Sequence, residues 1–171
     1  MFELFYPDQL IDSVYGFDFA GMKTQGYRAV VFDIDNTLVP HGAPATDEAV
    51  RLFEQLRSLG FATCLMSNNK ELRVKSFAKQ VASPYLYKAG KPLKRGYLKA
   101  MEIMGATAKD TLFVGDQLFT DVWGAKRCEI YCILSKPIDP REEIQIVLKR
   151  RLEKPVLREY ERRTLKDKGK F

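Results

Sequence analysis

Five short apolar runs punctuate this chain, and segments of helical period separate them. Ala29-Val30-Val31-Phe32 has the β-branched, uninterrupted character of a strand buried on both faces. Phe61–Met66, Tyr85–Tyr87, Leu112–Val114 and Ile130–Leu134 repeat the theme. After the first run, Pro40-His41-Gly42-Ala43-Pro44 reads as a loop. Thr46 is a fitting N-cap, with Asp47 and Glu48 in the favoured first turn. Val50, Phe53, Leu56 and Leu59 follow at helical spacing, and Gly60 suits the stop. Glu71–Val81 is helical, with Leu72, Val74 and Phe77 as its apolar positions, and Pro84 ends it. Leu93–Met104 and Thr120–Cys128 are further helices. Arg141–Arg163 is a last one, interrupted at Pro155 because proline breaks the interior hydrogen-bond ladder. Strands alternating with helices predict an α/β fold, a doubly wound parallel sheet with helices on both faces. Ligands in such folds bind beyond the carboxyl ends of the strands.

The chain has 171 residues, 46% of them hydrophobic, and forms one domain over 1–171. An arm over 1–26 is rich in aromatics, and Asp8–Tyr15 within it has the makings of a short helix. No apolar run approaches the ~20 residues that span a bilayer. The N-terminus lacks the charged start, apolar middle and small-residue site of a signal peptide. These features predict a cytoplasmic protein, peripheral if it meets a membrane at all. Cys64 and Cys132 lie in strand-like runs and read as buried thiols, as free cysteines in a reducing compartment do. One histidine, His41, is too few for a zinc site of the usual kind.

Charge changes the picture at one end. The net charge is +6. Residues 149–171 hold ten Lys and Arg against four Asp and Glu, so this basic tail carries all of it. Such a run suits an anionic partner or a solvated amphipathic helix. An anionic membrane surface is one such partner; no specific nucleic acid is expected.

The chemistry gathers at the strand ends. Asp33 and Asp35 close the first strand, Ser67-Asn68-Asn69 the second, and Gly115-Asp116 the fourth, with Asp121 one turn on. Lys91 follows the third. Each residue alone has an ordinary explanation: a turn acid, an N-cap, a surface lysine. Their joint placement at successive strand ends is what makes a site. If the chain turns just after Asp33, both acids point into one small volume and repel. A cation, a lysine or both must then offset them.

At these residues the chain resembles the haloacid dehalogenase superfamily. Asp33-Ile34-Asp35-Asn36-Thr37 is similar to its first motif, Ser67 to its second, Lys91 to its third, and Gly115-Asp116 through Thr120-Asp121 to its fourth. Ser67-Asn68-Asn69 and Lys91-Pro92 resemble the YqeG-type phosphatases of subclass IIIA, which are similar to phosphatidylglycerophosphate phosphatases. The resemblance implies a Rossmann-like fold and a phosphomonoesterase. Asp33 would be the nucleophile and Asp35 the acid and base. Ser67, Asn68 and Lys91 would bind the phosphoryl group. Mg²⁺ would rest on Asp33, the Asp35 carbonyl and Asp116, with Asp121 in support, because hard oxygen ligands suit it.

Between Asp35 and Ser67, and between Ser67 and Lys91, there is room for single helices and strands only. No large cap domain is therefore expected, and an open site can admit the end of something large. Phosphatidylglycerophosphate is the leading substrate by resemblance. The competing readings are a soluble phosphate ester, a phosphoprotein, and a non-hydrolytic receiver or scaffold. Asp35 argues against the last, since a receiver has no need of an acid–base group.

Overall fold

The computed structural model describes residues 3–139 and 144–168. Six strands form one parallel sheet: β1 (Gln9–Ile11), β2 (Ala29–Phe32), β3 (Ala62–Met66), β4 (Tyr85–Leu86), β5 (Thr111–Gly115) and β6 (Tyr131–Ser135). Their order is β1-β6-β5-β2-β3-β4, so β2 lies inside the sheet between β5 and β3. The helices are α1 (Phe19–Thr24), α2 (Asp47–Ser58), α3 (Glu71–Val81), α4 (Lys94–Met104), α5 (Trp123–Arg127) and α6 (Ile144–Lys168).

The uninterrupted apolarity of the strands follows from helices on both faces. Val30, Phe32, Leu65, Leu112 and Val114 pack with α1, α2 and α3, against Phe19, Phe53, Leu56 and Phe77. Val31, Cys64, Met66, Phe113 and Cys132 turn the other way, toward Tyr97, Ala100, Ala125 and Val156 of α4, α5 and α6. Every residue of β2 and β5 is buried. The α2 cap forms as its sequence suggests, with the Ala49 N–H donating to Thr46 Oγ1. The stretches between Asp35 and Ser67 and between Ser67 and Lys91 each hold one helix and one strand, with no inserted domain.

Four expectations change. Asp8–Tyr15 is not one helix; only Val14–Gly16, at its end, forms a 3-10 turn. Gln9–Ile11 adds a strand beyond β6, because the edge of β6 offers backbone partners and Asp8 ties the arm down, accepting from the Cys132 N–H at 2.8 Å and from Lys126 at 2.6 Å. Leu72 is exposed, while Val74, Phe77, Ala78 and Val81 form the buried face of α3. Thr120–Cys128 is not one helix: Leu118–Val122 is a wider π-helical turn that runs into α5. The last helix runs from Ile144 through Pro155 to Lys168 without ending at the proline. Buried Glu153 and Val156 anchor it on either side of Pro155, offsetting the missing N–H bond. Its expected start at Arg141 lies outside the described residues. None of the described helices is long and apolar enough to cross a membrane.

Candidate active site

Asp33 continues the ladder of β2 for one bond beyond the strand, its N–H donating to Val114 O at 2.9 Å. The chain then turns. Asn36 adopts a left-handed conformation at φ 63°, one that Asn tolerates better than most residues, and its N–H donates to Val39 O. The turn brings Thr37 back under Asp33. β5 ends beside β2 and delivers Asp116. Gly115 is required there, because a Cβ at this position would lie 2.5 Å from the Asp121 carboxylate. The π-helical turn then folds Asp121 back, and its Oδ2 accepts from the Asp116 and Gln117 N–H groups at 3.1 Å each.

Three buried carboxylates therefore meet. Oxygens of Asp33, Asp116 and Asp121 lie within 4.8 Å of one another. Lys91 reaches in from the loop after β4, with its ammonium 2.5 Å from Asp33 Oδ1 and 2.7 Å from Asp121 Oδ1. Thr37 Oγ1 lies 3.3 Å from Asp33 Oδ2 and 3.2 Å from Asp116 Oδ1. Burial, reinforced by the charge of Asp121 and opposed by Lys91, raises Asp33 to about 6. Burial and the charges of Asp33 and Asp121 also hold Asp116 well above the usual carboxylate range. Lys91 stays charged: Asp121 and Asp33 outweigh the burial that would lower it.

Asp35 faces the same cleft but stands apart from that cluster. Its Oδ1 accepts from the Gly42 N–H at 2.8 Å and from Arg73 at 2.9 Å, and its Oδ2 from Asn69 at 3.3 Å. Burial alone would raise it, but these donors hold it below the ordinary range. The repulsion at Asp33 thus comes more from Asp121 than from Asp35. Ser67 accepts from the Asn69 N–H, which leaves its hydroxyl hydrogen to donate into the cleft. Asn68 lines the cleft, while its side-chain amide both accepts from Lys91 N–H and donates to Lys91 O, fixing that loop.

The cleft holds about 430 Å³, with Asp33, Asp35, Ser67 and Lys91 on its wall. Ile146 and Lys149 of α6 border it as well. Arg150 pairs with Asp116, and Glu153 Oε1 accepts from the Leu118 N–H at 2.9 Å. The sequence gives no local sign of Arg73, Arg150 or Glu153 at this site. All three lie more than thirty residues from their partners: 38 for Arg73, 34 for Arg150 and 35 for Glu153.

A family model described as haloacid dehalogenase-like hydrolase matches residues 41–129. The probable phosphatase YqeG of Bacillus subtilis is 31% identical over 156 residues, 91% of either chain. The chain belongs to the haloacid dehalogenase-like hydrolase family. It is a phosphatase of that family, which sets aside the non-hydrolytic receiver. The chloroplastic/mitochondrial phosphatidylglycerophosphate phosphatase 1 of Arabidopsis thaliana is 28% identical over 162 residues, 87% of this chain and 46% of that one. This chain thus spans less than half of that relative. Among solved structures, a phosphatase of the family from Thermococcus onnurineus superposes with a TM-score of 0.56 at 14% identity, over 68% of this chain and 90% of its own. That likeness shows the shared fold.

Proposed function

We propose that this phosphatase hydrolyses a phosphomonoester through an aspartyl-phosphate on Asp33, with Mg²⁺ in the carboxylate cluster and a lipid phosphate of the phosphatidylglycerophosphate kind as substrate. The observation that carries the reading is Asp33 itself: a buried carboxylate on the cleft wall, held by Lys91 and Thr37.

The donor set fits a hard divalent cation. Asp33, Asp116 and Asp121 supply only oxygens, and once all three are ionised Lys91 and Arg150 leave their charges one positive charge short of neutral. Asp33, Asp116 and the Asp35 carbonyl would hold the ion, with Asp121 in support. When bound, it supplies charge neutralisation for the phosphoryl oxygens and makes the cluster net positive.

Asp33 attacks phosphorus in line, forming the Asp33 O–P bond as the ester P–O bond breaks. The leaving oxygen takes a proton from the Asp35 carboxyl. In the resting arrangement Asp35 is ionised, so Arg73 must release it before it carries that proton. Asp35, ionised again, accepts a proton from the water that attacks the phosphorus and breaks the Asp33–phosphate bond. Lys91 and the Ser67 hydroxyl hold the phosphoryl oxygens through both steps, and Asn68 keeps the Lys91 loop in place. The uncapped cleft suits the headgroup of a larger molecule, and the basic tail suits an anionic membrane.

The test is turnover on a panel of phosphate esters, with phosphatidylglycerophosphate in detergent micelles included. Activity should vanish with EDTA and return with Mg²⁺. Asp33→Asn should abolish it and should trap no hydroxylamine-labile phosphoenzyme after an acid quench. Near-normal turnover by Asp33→Asn would end the covalent reading. Efficient hydrolysis of a soluble ester with none of the lipid would end the lipid one.

A further inference from the structure

The mouth of the cleft carries leucines that the fold does not use. Leu72 opens α3 and is 82% exposed, although the spacing of α3 had marked it for the core. Leu93, at the N-terminus of α4, is 62% exposed. Tyr87 stands exposed between them on the loop after β4. These are not scattered positions. In a parallel sheet the loops after β3 and β4 and the starts of α3 and α4 lie at the carboxyl edge, where the cleft opens. The loops are tied into one rim: Lys88 N–H donates to Asn69 O at 3.0 Å, and Asn68 holds the Lys91 peptide on both sides. On α6, whose Ile146 and Lys149 border the cleft, Leu148 and Leu152 lie one turn apart and exposed, while Arg150, Glu153 and Val156 turn inward.

Each leucine has a cation beside it. Lys70 lies two residues before Leu72, with exposed Glu71 between them, and Lys94 and Arg95 follow Leu93; all three cations are exposed. On α6, Lys149 and Arg151 lie between the two leucines and are exposed too. Nucleic acid would match these cations but leave the leucines in water. An anionic bilayer satisfies both: apolar tips enter the boundary below the headgroups, and the long basic side chains reach lipid phosphates.

We infer that the rim formed by Leu72, Tyr87, Leu93, Leu148 and Leu152, with its neighbouring cations, seats the open cleft on an anionic lipid surface. The inference rests on the lipid-phosphate reading above and moves the membrane contact from the tail as a whole to the residues that frame the cleft. In that position a lipid headgroup meets Asp33 without leaving the bilayer.

The experiment is co-sedimentation of the full chain with phosphatidylcholine vesicles, with and without phosphatidylglycerol. Two double variants are compared with wild type: Leu72→Ser with Leu93→Ser, and Leu148→Ser with Leu152→Ser. Thermal melting confirms that they fold. Wild type should bind the anionic vesicles and ignore the neutral ones. Each double variant should lose about tenfold in vesicle affinity, as expected when apolar anchors are removed from an interface. Turnover of a soluble ester, and of the lipid in detergent micelles, should stay within about twofold of wild type, since neither substrate requires docking on a bilayer. Unchanged sedimentation of both variants would overturn the inference, as would loss on Lys94→Glu without loss on the leucine changes. A wild type that hydrolyses micellar lipid but ignores anionic vesicles would overturn the rim and leave the substrate standing. Failure on lipid in both forms would remove the substrate reading, and the rim with it.

Discussion

Arg150, on the C-terminal helix, holds Asp116, at the end of β5, through both its carboxylate and its backbone carbonyl. The helix is therefore part of the cleft wall. Glu153 completes the attachment by accepting the Leu118 N–H and pairing with Arg150 at 3.2 Å. Glu153→Ala would leave that buried N–H without an acceptor, at a cost of ~1–3 kcal/mol. Arg150→Met should detach the first turns of α6 and speed tryptic cleavage at Lys149 and Arg151. Unchanged cleavage rates and unchanged denaturant midpoints in both variants would show that the helix holds on without these contacts.

Lys91 balances two carboxylates inside the protein. Lys91→Ala should destabilise by ~3–5 kcal/mol, since Asp33 and Asp121 would be left buried without their cation. It should also weaken binding of vanadate or tungstate. Restoring part of the stability with Asp121→Asn in the same chain would identify charge as the cause. Full anion affinity in Lys91→Ala would place this lysine outside phosphate binding.

Stability without metal should fall as pH rises. The folded state keeps a proton on Asp33 up to about pH 6, against an ordinary carboxylate value of 3.8, and Asp116 is shifted the same way. The folded state thus binds more protons than the unfolded chain between about pH 4 and pH 6, and loses stability as those protons leave. Asp35 works in the opposite sense: its contribution is present above 3.8 and lost as pH falls through its lowered value. In EDTA, Tm should be lower at about pH 7 than at about pH 5, and Mg²⁺ should shrink the difference, because the ion stabilises the ionised carboxylates. A Tm in EDTA that climbs steadily to neutrality would contradict this.

Asp35 and Arg73 should act as a unit. Asp35→Asn should lower kcat by about 10²–10⁴ with little change in KM, the usual scale for a lost acid–base group. Arg73→Ala should move the pH dependence of kcat that Asp35 sets to higher pH, because the guanidinium helps hold that carboxyl ionised, and Arg73→Lys should move it part of the way back. If Arg73→Ala raised KM alone, the guanidinium would be a substrate contact rather than a partner of Asp35.

Much of this protein was legible in its residues because strand burial and strand ends leave local marks. A strand covered on both faces is uniformly apolar, so β2, β3, β5 and β6 stand out with boundaries good to a residue or two. The polar residues that follow them mark the carboxyl edge, where Asp33, Asp35, Ser67, Lys91 and Asp116 line the cleft or its buried carboxylate cluster. Short strands and single leucines leave weaker marks. Gln9–Ile11 has too few residues to show a period, and only the free edge of β6 makes it a strand. Leu72 fits the spacing of a buried helix position, yet α3 turns its Val74 and Phe77 face inward.

The sequence by itself determined the parallel α/β architecture, the order of the site residues along the chain and the excess of positive charge at its end. Only the tertiary structure decided which charges meet. Arg73 comes to Asp35 from 38 residues away, Arg150 to Asp116 from 34, and Lys91 to Asp33 from 58. No local pattern encodes such pairs. They follow from where the parallel crossovers set down α3, the β4 loop and α6 around the end of β2, and from the high cost of leaving a buried carboxylate without a partner.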